Sequence, residues 1–193
     1  MKEIYLKNYK CFEEATFSFK ERFTVLIGEN GSGKTAALDG IARGLKSIVD
    51  GLKPSISPIF DTSLEENEIR VISHQLGSKS SFETQYPYRI KTTVFKDKEL
   101  SWFISNTSGN NEQVEDFTRT LRTNIQSGGK EILPLIAYYR AFRNWRPIKV
   151  GDLMPLGSRL DTFQDCLNPK KNSEQLLDWF KRMAIIQFQK NKP

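Results

Sequence analysis

Residues 28 to 35 read Gly28-Glu29-Asn30-Gly31-Ser32-Gly33-Lys34-Thr35, which satisfies G-x-x-x-x-G-K-[ST] at every fixed position. The chemistry such a run can do is to hold a polyphosphate. Backbone N–H groups must converge on the phosphate oxygens, and glycine permits the tight turn and close approach that this needs. Gly31 and Gly33 supply that freedom. Lys34 brings an ammonium group for β- and γ-phosphate oxygens, and the Thr35 hydroxyl is an oxygen ligand for Mg²⁺. The candidate nucleotide-binding residues are therefore Gly28 through Thr35, with the amide of Ala36 closing the ring and Thr35 as the metal ligand. No residue is assigned a catalytic role.

Such a loop works only between a buried strand and a helix. Phe23-Thr24-Val25-Leu26-Ile27 is a continuous apolar run of the buried kind, expected to be a central strand. After the loop, Leu38, Ile41, Ala42, Leu45, Ile48, Val49 and Leu52 recur at steps of three and four, predicting an amphipathic helix from Lys34 to Asp50 that Gly51 and Pro54 stop. The helix N-terminus carries about half a positive charge, which adds to the anion site.

Before the loop, Ile4, Leu6, Tyr9, Phe12, Phe17 and Phe19 have the spacing of strands. Beyond residues 54 to 63, a loop by composition, strands are expected at Ile69–Ile72, Tyr86–Phe95 and Glu99–Ser105, the last two forming a hairpin around Lys96-Asp97-Lys98. Asn111 can cap a helix whose buried stripe is Val114, Phe117, Leu121 and Ile125 and which ends at Ser127-Gly128-Gly129. Ile132 to Tyr139 is a second buried strand candidate, and a last helix from Ser173 to Gln189 is expected to turn Leu176, Leu177, Phe180 and Met183 inward. The division that follows is a core at 1–53, a β-hairpin and helix insertion lobe at 54–131, and a second core strand with a helical segment at 132–193, all within one domain.

Within the P-loop class, Gly-Glu-Asn-Gly-Ser-Gly-Lys-Thr resembles the ATP-binding cassette branch, in particular the SMC, RecF and OLD-type ATPases. The opening Ile4-Tyr5-Leu6-Lys7-Asn8-Tyr9-Lys10-Cys11-Phe12-Glu13 is similar to the first strand of those proteins, and the resemblance makes Lys10 a nucleotide contact. Leu133 to Tyr139, Arg143, Trp145, Arg159 to Asp161, and Leu167 through Leu177 to Lys181 resemble bacterial AAA-type ATPases that include Septu-like anti-phage ATPases. The resemblance implies an α/β P-loop fold of ABC type, here its N-terminal half with an antiparallel β-rich lobe. It also implies ATP and Mg²⁺ as ligands, a homodimer of the full-length protein, and DNA or a nuclease as partner.

Two parts of that pattern are missing. Four apolar residues followed by Asp, the carboxylate motif that holds Mg²⁺ through water, do not occur: the candidate at Ser57 to Asp61 contains Pro58, and the run from Ile132 ends in Arg140. Ser127-Gly128-Gly129-Lys130 has the letters of a signature loop, but an apolar run follows within three residues, which favours a helix-ending turn. The expectation is an N-terminal part whose hydrolysis needs a C-terminal half. The alternative is a non-hydrolysing module that binds nucleotide or protein.

Tyr138, Tyr139, Arg140, Phe142, Arg143, Trp145, Arg146 and Lys149 interleave cations with aromatics, a pattern suited either to single-stranded nucleic acid or to aromatics packed beneath snorkelling arginines. A net charge of +6 also favours an anionic partner. No uncharged apolar run can span a bilayer, and charges at Lys2, Glu3 and Lys7 break any secretory signal, so the cytosol is expected. Cys11 and Cys166 stand apart and His74 is the sole histidine, which supports neither a disulfide framework nor zinc.

Overall fold

Alternation of apolar and polar residues builds an antiparallel sheet with one packed face. The computed structural model describes residues 1–53, 63–77, 79–95, 98–107, 109–139, 158–168, 180, 181, 183, 184, 187 and 188. In chain order these contain β1 (Glu3–Tyr9), β2 (Phe12–Ser18), α1 (Lys34–Leu52), β3 (Val71–Leu76), β4 (Lys79–Thr84), β5 (Arg89–Phe95), β6 (Glu99–Ser105) and α2 (Glu112–Gln126). Strands β2, β1, β5 and β6 lie side by side in that order, every neighbour antiparallel. A separate hairpin pairs β3 with β4.

Ile4 and Leu6 of β1, Ile90 and Thr92 of β5, and Trp102 and Ile104 of β6 are almost wholly buried on the face that meets α1. The helix can lie this close because Gly44 presents bare backbone to the sheet. A Cβ there would come within 2.2 Å of Thr92 Oγ1 and 3.2 Å of Ile4 Cδ1, and the Trp102 indole N–H donates to the Gly44 carbonyl at 2.8 Å. One core cluster gathers Ile48, Val49 and Leu52 of α1 with Trp102, Val114 and Leu121; the other gathers Ile4, Leu6, Tyr9, Ile69, Tyr88 and Ile90.

Helix α1 runs two residues past Asp50, because Gly51 is not its stop but the point where α2 crosses: a Cβ there would be 2.3 Å from Thr118 Oγ1. Asn111 stands at the cap position of α2 yet its carboxamide makes no capping bond. Ser127-Gly128-Gly129 does end α2, with Gly128 left-handed at φ +86° and the amides of Gly128 and Gly129 donating to the carbonyls of Ile125 and Asn124.

The two apolar runs expected as buried strands are not strands here. Residues 23–27 carry no ladder pairing, and Phe23, Val25 and Ile27 are 79%, 59% and 90% exposed. Residues 132–139 likewise have none, with Ile132 and Leu135 at 85% and 99%. A fully apolar strand needs a ladder neighbour and a covering layer. The edges of this sheet are β2 and β6, and neither run pairs with them. Phe180 and Met183, expected inward, are helical but exposed. The rest of the 173–189 helix, the 54–62 loop, the 96–97 turn and the 140–149 cation and aromatic cluster lie outside the described residues.

The Gly44 contact yields a stability test. Gly44→Ala should cost about 2 kcal/mol through overpacking, read as a lower urea midpoint at unchanged m-value. The buried Thr92 hydroxyl has no hydrogen-bond partner among the described residues, so Thr92→Ala should recover more than half of that loss when the two are combined. Additive losses would show that the contact is not the source of the strain.

Candidate functional site

The 28–35 turn takes its shape from two left-handed glycines, Gly31 at φ +84° and Gly33 at φ +88°. Any L side chain is strained at these angles. The Ser32 amide donates back to the Glu29 carbonyl at 3.2 Å, closing the turn, and α1 starts immediately after Gly33. Gly33 occupies the cap position without a side chain to offer, and the first turn of α1 carries no acidic residue. The amides of Lys34, Thr35 and Ala36 therefore bond to nothing among the described residues, and the first bond of the helix runs from the Ala37 amide to the Gly33 carbonyl at 2.8 Å. Unsatisfied donors at the positive end of a helix dipole are what an anion requires.

The Lys34 ammonium folds back over this turn. It donates to the carbonyls of Gly28 at 2.7 Å and Glu29 at 2.6 Å and reaches the Ser32 hydroxyl at 3.3 Å. Among the described residues it is in no ion pair: its partners are neutral loop oxygens, which an incoming phosphate can replace. Thr35 is exposed on the first helical turn, with its hydroxyl open to a metal. All the residues expected at the loop thus share one turn, and a polyphosphate fits it by the chemistry of the donors present.

Two supports of this turn were not foreseen from the residue order. The first is the bend between β1 and β2, which packs directly on the loop: a Cβ at Gly33 would lie 2.7 Å from Cys11 Sγ and 2.9 Å from Phe12 Cζ. Gly33 is thus required twice, for its φ and for this contact. The second is Asp39, one helical turn beyond Thr35. Lys10 Nζ donates to its Oδ2 at 2.5 Å, and the Tyr138 hydroxyl donates to its Oδ1. One carboxylate thereby ties the bend, the helix and the 132–139 segment together. Lys10, expected as a nucleotide contact, is held against α1 through Asp39. An aspartate one turn after the Lys-Thr pair, on the Lys10 side of the helix, was the available signal, and it carries no meaning without knowing what faces it.

Further along α1 a cleft of about 540 Å³ is lined by Lys10, Asp39, Arg43, Lys46, Asp50 and Cys166 among others. Its charges are compensated: Arg43 pairs with Glu68 at 3.4 Å, and Lys46 and Lys53 pair with Asp50 at 2.5 and 2.8 Å. It lies beyond the loop and adds no phosphate ligand to it. Burial pushes the Cys166 thiol up to about 11, which keeps it protonated and unreactive. Among the described residues, no group of three or more His, Cys, Asp or Glu side chains could hold a metal ion, and no helix is long and apolar enough to cross a membrane.

Comparison with known proteins agrees with this geometry. A family model described as "AAA domain" matches residues 3–191. The "Retron Ec83 probable ATPase" of Escherichia coli is 27% identical over 96% of this chain and 35% of its own length. The "Retron Vc95 probable ATPase" of Vibrio cholerae is 26% identical over 75% of this chain and 28% of its own length. The "DNA replication and repair protein RecF" of Leptospira biflexa is 45% identical over 52% of this chain and 26% of its own length. The chain spans between about a quarter and a third of the length of these relatives.

The two thiols report the packing independently of any ligand. Cys11 is exposed and Cys166 buried, so at pH 8 a thiol reagent should modify one group per chain rapidly and the second only on unfolding. Cys11→Ser should remove the fast phase. Two fast groups in the wild type would show that the wall of the cleft at Cys166 is open.

Proposed function

The chain belongs to the AAA domain family, as an N-terminal portion of an ABC-branch P-loop ATPase, and on that premise we propose that it binds ATP with Mg²⁺ through Gly28 to Thr35. The observation that carries the reading is the closed turn with left-handed Gly31 and Gly33, topped by a Lys34 ammonium that, among the described residues, is bonded to exchangeable loop oxygens and a hydroxyl. On this reading the free amides of Lys34, Thr35 and Ala36 orient the phosphates, Lys34 neutralises charge on the terminal ones, and the Thr35 hydroxyl takes the metal. Mg²⁺, when bound, supplies further charge neutralisation at the same oxygens. Lys10 acts from the side, its position set by Asp39.

Turnover, in this proposal, needs a C-terminal half that brings the carboxylate and signature motifs, within a head-to-tail homodimer. Support comes from the apolar runs at 23–27 and 132–139, which have the composition of core strands, no ladder pairing, and exposed residues at Phe23, Val25, Ile27, Ile132 and Leu135. The output is work on DNA or on a nuclease partner in DNA metabolism or phage defence, in the cytosol. The names of the relatives, a replication and repair protein and two retron ATPases, support the nucleic-acid side of this reading. A second reading, a nucleotide- or protein-binding module without hydrolysis, is favoured by the absence of a carboxylate run in the sequence.

Calorimetric titration of ATP with Mg²⁺ tests the site. Wild type should bind, Lys34→Ala should weaken binding on the order of tenfold or more through loss of a charge-assisted contact, and no phosphate should be released by this chain alone. Equal affinity of wild type and Lys34→Ala would sink the proposal. Phosphate release by this chain alone, abolished in Lys34→Ala, would show that it needs no second half.

A further inference from the structure

The four-stranded sheet has a second face, turned away from α1, and its register brings together residues that no sequence window contains. Tyr5 on β1 stands opposite Lys91 on β5, and Lys91 stands opposite Phe103 on β6. Strand spacing of about 4.8 Å places the two aromatic residues roughly 10 Å apart with a cation between them. In the adjacent row Lys7 faces Arg89, whose guanidinium lies 4.8 Å from the Phe103 ring centroid. Arg89 and Lys91 are exposed, and Tyr5, Lys7 and Phe103 are half-buried. None of the three cations is in an ion pair among the described residues.

The carboxylates of this face sit at its margins. Glu14, on the edge strand β2, accepts the Tyr5 hydroxyl at 3.0 Å, while Glu3 on β1 and Glu99 on β6, the latter paired with Lys2, lie at the far end of the sheet. The cationic and aromatic half therefore covers β1, β5 and β6. Around it are short hydroxyl residues such as Thr93 and Ser101, not the aliphatic side chains that fill the centre of a protein interface. A row of aromatic, cation and aromatic on an open sheet is chemistry for stacking bases while neutralising phosphates. In a duplex the base faces are already stacked and out of reach of such a flat surface.

We propose that this outer face binds single-stranded nucleic acid, with Tyr5 and Phe103 as stacking platforms and Lys7, Arg89 and Lys91 as phosphate contacts. The proposal specifies the nucleic-acid partner of the reading above and rests on it only for that expectation. It does not use the nucleotide turn.

Fluorescence anisotropy of labelled dT20, rU20 and a duplex of equal length, measured with the full chain free of ATP at a series of salt concentrations, tests it. Wild type should bind the single strands more tightly than the duplex. Arg89→Ala with Lys91→Ala should weaken single-strand binding about tenfold or more and flatten the slope of log affinity against log salt by about 1.4, at roughly 0.7 per lost cation. Tyr5→Ala should weaken it about fivefold or more at unchanged slope, and Lys34→Ala should leave it unchanged. Because Arg89 and Lys91 are exposed, that pair keeps the test valid if Tyr5→Ala lowers the melting temperature. No binding of either oligonucleotide at 50 mM salt, equal affinity for the duplex, or wild-type affinity in the Arg89 and Lys91 variant each overturns the proposal. So does binding that is lost only on charge reversal of Arg143 and Arg146. Loss of ATP binding in Lys34→Ala with oligonucleotide binding intact separates the two sites.

Discussion

The contact on which the described structure depends is the approach of α1 to the sheet at Gly44. With no Cβ at that position, the helix backbone meets Thr92 and Ile4, and the Trp102 indole fastens to the Gly44 carbonyl. That contact sets the height of α1 over β1 and β5, and the height of α1 sets where its N-terminus opens. The bend after β1 then reaches the last glycine of the turn, where Cys11 and Phe12 occupy the space a side chain would take. A displacement of the helix by one methyl group would be felt at both ends, because interiors packed to this density transmit strain.

Asp39 is the electrostatic counterpart of that contact. By accepting from Lys10 and Tyr138 at once it joins three parts of the chain separated by long stretches of sequence. The Tyr138 amide adds a bond to the Cys166 carbonyl at 3.1 Å, so the same segment is also anchored beyond α1. The 28–35 turn is therefore supported from the hairpin side and the helix side, while Phe23, Val25 and Ile27 before it stay exposed. The contrast is between a braced turn and the unpaired 23–27 run that leads into it.

The unequal faces of the sheet explain why the chain offers two separate surfaces. The inner face is closed by α1 and α2, and the outer one carries Lys7, Arg89, Lys91, Tyr5 and Phe103 in rows. Antiparallel sheets tolerate such asymmetry because each residue step reverses the side.

What the sequence determined alone was local. The turn at 28–35, the helix after it, the pairing of β5 with β6 as a hairpin and the glycine stop of α2 follow from spacing, period and turn chemistry, each of which acts over a few residues. Where local signals failed, a partner far along the chain had decided the outcome. Gly51 reads as a stop until Thr118 is seen against it, and the runs at 23–27 and 132–139 read as buried strands although burial requires neighbours that their own residues cannot provide. The Asp39 junction and the Tyr5, Lys91 and Phe103 row were settled only by tertiary structure, since both depend on register and on which elements meet, and those are fixed by how the whole chain packs.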